Sequence, residues 1–401
     1  MKSFKLLHSA DWHLGARLAG QAREAEQRAF LDWLLGVLAE EAPDALVIAG
    51  DVFDSATPPV AAQEMYYRFL HAAGAHCRHI VVIGGNHDSA ALLDAPRALL
   101  AALSVQVVGA THEKEVFALH DGDGAMQAVV AAVPYLRERD VRSQQAGESV
   151  DDKARAVATA IAAHYAQAAE KAEALRAGAD IPAIATGHLF AAGGASVADD
   201  GMRELYVGQL GQVGAEIFAD TFDYVALGHL HRAQTVGGRA HIRYSGAPFA
   251  LGFGESTLPR QILRVTFHGR TPEIAPIAVP VWQTLATLRG TRDALIAQLQ
   301  ALAAKGESVW VEAHLEADTF DSHLHDALQA VVADTPVKLL RLHNAARRAE
   351  ALRDSGQTLA TLTPEQVFAA RLAQDESLDD DARAALSARF AEIYHAVQHA
   401  H

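Results

Sequence analysis

VVIGGNHDS, residues 81–89, begins as a buried strand and ends in chemistry. Val81, Val82 and Ile83 are β-branched and suit a strand covered on both faces. Two glycines then lead to Asn86, His87 and Asp88, an amide, an imidazole and a carboxylate in succession. An ordinary strand end closes on turn residues that satisfy the backbone and face water. This one delivers groups that bind metal ions or move protons.

The same arrangement recurs along the chain. Asp11 and His13 follow FKLLHSA (4–10), and Asp51 and Asp54 follow DALVIAG (44–50). His188 ends IPAIATGH (181–188), and His229 and His231 end FDYVALGHLH (222–231). Helical patterns at 22–41 and 59–74 separate the first strands, with Thr57-Pro58 expected to open the second as N-cap and first helical residue. Such alternation predicts an α/β sheet with covered faces, whose ligands gather outside the carboxyl ends of its strands.

In an extended chain residues i and i+2 share a side, so Asp11 with His13, and His229 with His231, are expected to aim at one spot. The donors are oxygen and imidazole nitrogen without sulfur, which suits Mn, Fe or Zn. Asp11, His13, Asp51, Asn86, His188, His229 and His231 are too many for one ion and fit two. Paired ions in phosphoesterases lie about 3.5–4 Å apart and need a bridging carboxylate, for which Asp51 is the natural choice. A lone histidine at a strand end usually serves a structural hydrogen bond, and one GD or GH pair carries no information. Five such ends in one chain carry a great deal. Asp54 and Asp88 stay open between turn formation and support of a neighbouring ligand.

Bulk properties bound the reading. The 401 residues exceed what a single core usually organises, and a composition 50% hydrophobic and 21% charged is that of a water-soluble protein. No apolar run reaches the ~18 residues of a membrane span. MKSFKLLHSADWH meets charge too early for a secretory signal, so a cytoplasmic location is expected. Cys77 is the only cysteine, which excludes an internal disulfide and a thiolate cluster. A net charge of −15 argues against unaided nucleic-acid binding, since phosphate contacts need a basic surface.

Strands are expected within 105–133, and 150–178 reads as a long helix. Further strands are expected at 240–246 and 260–267, and the pattern changes after Pro272. Residues 279–344 then read as strand, helix, strand, helix, strand, a small separate α/β domain. Residues 345–362 look like a linker, and 363–401 read as two amphipathic helices, the first opened by a Thr363/Gln366 capping box.

The order DxH, GDxxD, GNHD, GH, GHxH resembles the calcineurin-like metallophosphoesterase superfamily. The stretches HSADWHLG, REAEQRAFLDWLL, VIAGDVFDSATPP, GGNHDS, IATGHLF, YVALGHLHRAQ and RYSGAPFALGF resemble, more narrowly, the SbcD family, nuclease subunits of bacterial SbcC–SbcD complexes. The likeness spans the chain, tightly to about residue 255 and loosely beyond. It implies two packed β-sheets flanked by helices, over 1–272, with the small capping domain and a C-terminal helical pair. It implies a dinuclear site, most simply Mn2+ with Mg2+, Fe and Zn as alternatives. One ion would take Asp11, His13, Asp51 and His231, and the other Asp51, Asn86, His188 and His229. A hydroxide on the ions would attack the phosphodiester, with His87 as general acid and Asp88 as its brace.

It also implies double-strand exonuclease and hairpin or single-strand endonuclease action on DNA, in repair, recombination and replication. A homodimer through the helices at 22–41 and 59–74 would sit inside a heterotetramer, its terminal helices clasping a coiled-coil ATPase of SbcC type. The stretch 191–208 resembles the family's long loop after the fourth motif. Arg17 and Arg23 are candidate DNA contacts. At position 54, where distant relatives carry His, this chain has Asp, so no role transfers there. Two other readings use the same residues: a phosphodiesterase or phosphatase for a non-DNA substrate, and a non-catalytic scaffold. The residues beyond the core disfavour the first, and the intact donor set disfavours the second.

Overall fold

The computed structural model describes residues 3–142, 148–191, 213–316, 323–344, 364–373 and 380–398. The expected loop at 191–208, apart from its first residue, lies outside these, as do the linker and Thr363 of the capping box. No helix among the described residues is long and apolar enough to cross a membrane.

The chain begins with β1 (Phe4–Ser9), the short ribbon β2 (Arg17–Leu18) and β3 (Gln21–Ala22), and α1 (Glu24–Glu41). Then come β4 (Ala45–Ala49), α2 (Val60–Ala73), β5 (His79–Ile83), α3 (Ala90–Asp94), α4 (Arg97–Ala101) and β6 (Val105–Val108). They are followed by β7 (Val116–His120), β8 (Met126–Ala131), α5 (Glu138–Val141), α6 (Val150–Arg176) and β9 (Ala183–His188). The first unit continues with β10 (Tyr224–Gly228), β11 (Gln234–Val236), β12 (Arg239–Tyr244), β13 (Gln261–His268) and β14 (Thr271–Ala278).

Two six-stranded sheets result, ordered β14-β13-β1-β4-β5-β6 and β11-β12-β10-β9-β8-β7. The runs β1-β4-β5-β6 and β12-β10-β9-β8 are parallel, and antiparallel strands close the edges. Period-two alternation sorts the apolar residues. Leu6, Val47, Val81 and Ile83 meet Val130, Ile184 and Ala226 between the sheets. Leu46, Ile48 and Val82 turn outward to Phe30, Leu34, Met65 and Phe69 of α1 and α2. Val225 and Leu227 turn to Ile161, Tyr165 and Ala172 of α6. The first unit is thus helix, sheet, sheet, helix. α6 begins where Ser149 accepts from the Asp152 amide, with Asp151 and Asp152 in its first turn.

Two local expectations change. Helix α2 starts at Val60 with Pro59 as N-cap and no side-chain cap bond, so Thr57-Pro58 precede the helix. Consecutive prolines hold that stretch extended. The first sheet also continues past Pro272, because β14 pairs with β13 along its whole length to Ala278.

Contacts divide the chain into Met1–Thr287 with Ser308–Val311, and Leu288–Glu307 with Glu312–His401. The C-terminal region carries β15 (Thr284–Gly290), α7 (Arg292–Ala303), β16 (Val309–Leu315), α8 (Leu324–Val332) and β17 (Val337–Asn344), with strand order β15-β16-β17. Two helices end the described chain, α9 (Pro364–Ala373) and α10 (Asp380–Gln398), and Phe368 stacks on Phe390 at 4.1 Å.

One polar pair interrupts the dry layer between the sheets. His8 on β1 is fully buried, its Nδ1 2.9 Å from the Tyr224 hydroxyl. Burial pushes its pKa from 6.5 down to about 3. As pH falls below 6.5 the unfolded chain takes up a proton that the folded chain refuses, so stability falls from there toward pH 3. The slope from this group is at most about 1.4 kcal/mol per pH unit. Urea midpoints measured between pH 7 and 4 should decline less steeply in His8→Leu than in the parent; parallel declines would refute the assignment.

Candidate metal centre

The seven donors converge where the carboxyl ends of β1, β4, β5, β9 and β10 meet. Four of them do not arrive on extended backbone. Asp11, His13, Asp51 and His229 have φ of 57°, 44°, 47° and 100°, so the expected i, i+2 convergence comes from left-handed turns. Tertiary bonds hold those turns: the amides of Asp11, His13 and Leu14 donate to the carbonyls of Gly50, Asp51 and Val52 at 2.9–3.0 Å. Backbone approach is close enough to require glycine. A Cβ on Gly85 would collide with Asp51 Oδ1, and one on Gly228 with the Ala49 carbonyl.

Each central carboxylate is anchored through one oxygen and aimed with the other. Asp51 Oδ1 accepts from the His87 amide at 2.9 Å, while Oδ2 lies 3.2 Å from His188 Nε2 and 3.5 Å from His13 Nε2. Asp11 Oδ1 accepts from the His229 amide at 2.9 Å, and its Oδ2 is buried without a partner. Asn86 Oδ1 sits 2.9 Å from His188 Nε2 and 3.0 Å from His229 Nδ1. The His13 and His231 rings stand 5.2 Å apart, as do those of His188 and His229. Asp11, His13 and His231 therefore form one donor group; Asn86, His188 and His229 form another, with Asp51 between them.

The arrangement fits cations. Both His13 nitrogens and Asp11 Oδ2 are buried without a hydrogen bond. His13 Nδ1 lies 3.3 Å from Asp54 Oδ1, near enough for attraction but not aligned to bond. Leaving such atoms unsatisfied costs about 1–3 kcal/mol each, which a coordinated ion removes.

Residues 4–233 match the calcineurin-like phosphoesterase family, and residues 281–376 match the SbcD_C family, described as the type 5 capsule protein repressor C-terminal domain. A protein of Escherichia coli K12, named as the D component of the nuclease SbcCD, is 37% identical over 406 residues, covering 99% of both chains. The chain belongs to the SbcD family of calcineurin-like phosphoesterases. Proteins of the same name from Rhodobacter capsulatus and Bacillus subtilis are each 35% identical, over 91% and 64% of this chain and 94% and 65% of their own. Membership of this phosphoesterase family implies divalent metal ions, and the clustered His and Asp donors suit them.

The outer partners of this SbcD-family centre separate the remaining roles. His188 Nδ1 donates to the Ala49 carbonyl at 3.0 Å, turning Nε2 inward. His231 Nδ1 lies 2.8 Å from Glu255 Oε1, which turns its Nε2 inward too. Sequence reasoning missed Glu255. Its signal was an acid two residues beyond the last family-like stretch. The other Glu255 oxygen accepts from the Leu251 amide at 3.1 Å and pairs with Arg260 at 3.0 Å.

Two expectations are corrected. Asp88 does not brace His87: its carboxylate accepts from the amides of Val52, Phe53 and Gly85 at 2.9–3.1 Å, tying the β4 and β5 loops together. The brace is the Asp54 carbonyl, 2.8 Å from His87 Nδ1. Arg23 is no DNA contact, being buried on Glu26 and the Ala250 carbonyl. Arg17 stays exposed, bonded to the Gly20 carbonyl.

Charge state follows burial and proximity. Burial alone would raise Asp51, but His188 and His13 hold it well below the carboxylate range. Burial raises Asp11, with Asp51 adding to it against His188 and His231. Burial, then the Asp51 charge, pushes Asp88 up to about 6 against its three amide bonds. His188 rises to about 9, the two aspartates overcoming its burial. His229 drops to about 3 through burial and the neighbouring His188. Burial also lowers His87.

Removing the Glu255 carboxylate should loosen His231 without removing a donor. Glu255→Ala is expected to weaken Mn2+ binding about 10–100-fold, with Glu255→Gln in between. Equilibrium dialysis measures this, and parental affinity in Glu255→Ala would contradict the role.

Proposed function

We propose that this chain is the nuclease subunit of an SbcC–SbcD-type complex, hydrolysing DNA phosphodiester bonds at a dinuclear centre. The observation that carries the reading is similarity over 99% of both chains to a relative named as a component of the nuclease SbcCD. Asp11, His13, Asp51 and His231 hold one ion, and Asp51, Asn86, His188 and His229 the other. The ions, most simply Mn2+, supply Lewis acidity toward the phosphoryl group and the attacking water.

The chain's own groups position and move protons around that chemistry. The Asp54 carbonyl can only accept, so it fixes the His87 proton on Nδ1 and leaves Nε2 facing the site. In its imidazolium form His87 gives the Nε2 proton to the leaving oxygen. Asp88 keeps the His87 loop and the Asp51 loop in register. Asp54 turns its carboxylate toward His13.

On this reading the substrates are duplex ends, hairpins and single strands, in repair, recombination and replication in the cytoplasm. Residues 279–344 form the capping domain and 345–362 a linker. The chain dimerises through α1 and α2, and the region 363–401 grips a coiled-coil ATPase of SbcC type, completing a heterotetramer. The net charge of −15 supports that division, because a chain so acidic gains from a partner that supplies the basic DNA surface. Alone it should bind duplex DNA weakly and with a shallow salt dependence. Tight, metal-independent binding in a salt titration would count against it.

A pair of variants separates ligand from acid. Asp51→Asn should lose both ions and all Mn2+-dependent cleavage of linear duplex DNA. His87→Ala should keep both ions by dialysis and cleave roughly 10²–10⁴-fold more slowly. Loss of an ion from His87→Ala would overturn its role, and absence of cleavage by the parent with its ATPase partner would overturn the function.

A further inference from the structure

A second group of donors lies in the C-terminal unit, on residues the family reading leaves unused. Glu312 and His314 stand two apart on β16 and so share one face of that strand. His343 joins them from β17. Glu312 is buried although it is a carboxylate in a small domain. His314 Nε2 lies 3.0 Å from one of its oxygens and His343 Nε2 lies 3.0 Å from the other. The two imidazoles stack at 4.5 Å and 18°.

We propose that Glu312, His314 and His343 form a separate binding site for a late first-row divalent cation, of which Zn2+ is the best fit. Two histidines and a carboxylate are a common three-residue zinc ligand set, with water as the fourth ligand. Bonds of about 2.0–2.2 Å in a tetrahedron put neighbouring donors roughly 3.3 Å apart, close to the 3.0 Å separations here. Parallel rings bring both Nε2 atoms to one side, over one carboxylate. The histidine side chains are 24% and 50% exposed, so an ion can enter and water can complete its shell.

Burial would raise the Glu312 carboxyl, yet His314 and His343 hold it below its usual range, so it meets a cation already ionised. Arg341 Nη1 lies 3.5 Å from the same Glu312 oxygen as His343. Its side chain is 36% exposed and long, and its terminus swings away as the cation takes over the carboxylate charge. Neutral imidazole is the form of histidine that ligates metals, and a strand pair holds the donors more rigidly than a loop.

The probe is zinc chloride, added to the full-length protein after chelation and dialysis, with bound zinc counted per chain. Both His343→Ala, at a half-exposed position near a strand end, and Glu312→Gln should bind one equivalent fewer than the parent. Asp51→Asn should keep that equivalent, so a failure of the dinuclear reading stays distinguishable from a failure here. Zinc should also slow diethylpyrocarbonate modification of His314 and His343 in the parent, mapped by mass spectrometry. Equal zinc content in parent and His343→Ala overturns the proposal. So do zinc-independent modification rates, which would mark a hydrogen-bonded trio only.

Discussion

The Asp51 carboxylate stands just beyond β4, which faces β9 and β10 of the other sheet, and the surrounding chain is shaped by its position. One oxygen is held by the His87 amide and the other lies between His13 and His188. Reaching it requires bare backbone on the crossing loops, which is why Gly85 faces Asp51 and Gly228 faces the Ala49 carbonyl. It also requires Asp11, His13 and Asp51 itself to leave their strands in left-handed turns. Such turns are costly for residues with a Cβ and persist only where surrounding bonds over-determine them. The paired amides and carbonyls between residues 11–14 and 50–52 supply those bonds.

The same geometry concentrates an electrostatic cost. Asp11, Asp51 and His188 are almost wholly buried beside strands that are otherwise apolar. Ionised groups in such a place destabilise a fold unless paired. Imidazoles answer part of this, and the opposed shifts of Asp11 and Asp51 mark where they fall short. Divalent charge supplies what is missing and favours both carboxylates in ionised form. Stability of this end of the sheets and occupancy of the centre are therefore coupled: the ions that do the chemistry also neutralise the charge that the fold has buried.

The donors are legible because strand ends have a sequence signature. An apolar run, a glycine and a polar side chain repeat at Asp51, Asn86, His188 and His229, and the parallel sheets make those ends neighbours. What escapes such reading depends on backbone or on a distant turn. The Ala49 and Asp54 carbonyls orient His188 and His87, yet any residue offers a carbonyl. Glu255 meets His231 only after β12 and a following turn bring it back. Asp88 resembles a histidine's partner by adjacency, but three amides from two loops claim it first. Arg23 follows the first motif and so suggests a surface role, yet its pairing with Glu26 inside α1 removes it from the surface. The change of domain falls one strand later than Pro272 suggests, since a proline at an edge strand is compatible with pairing.

How His87 is held says more about its task than its place in GNHD does. A carboxylate on Nδ1 would raise the imidazole's pKa and put negative charge beside a phosphodiester. No carboxylate bonds the ring, although Asp51 and Asp54 lie near enough to raise its pKa: Asp88 bonds amides, Asp54 reaches toward both His13 and His87, and Asp51 faces the donors. A neutral carbonyl orients the ring as firmly and adds no charge. Burial lowers the pKa against the upward pull of Asp51 and of the Asp54 carbonyl, which weakens the imidazolium's grip on its proton. In the general-acid role proposed for His87 a proton must pass to the leaving oxygen, and an imidazole bonded to a neutral carbonyl would hold it less tightly than one paired with a carboxylate. Among the proposed ligands, His231 rests on a carboxylate, where added basicity would strengthen its bond to a metal, whereas His188 rests on the Ala49 carbonyl.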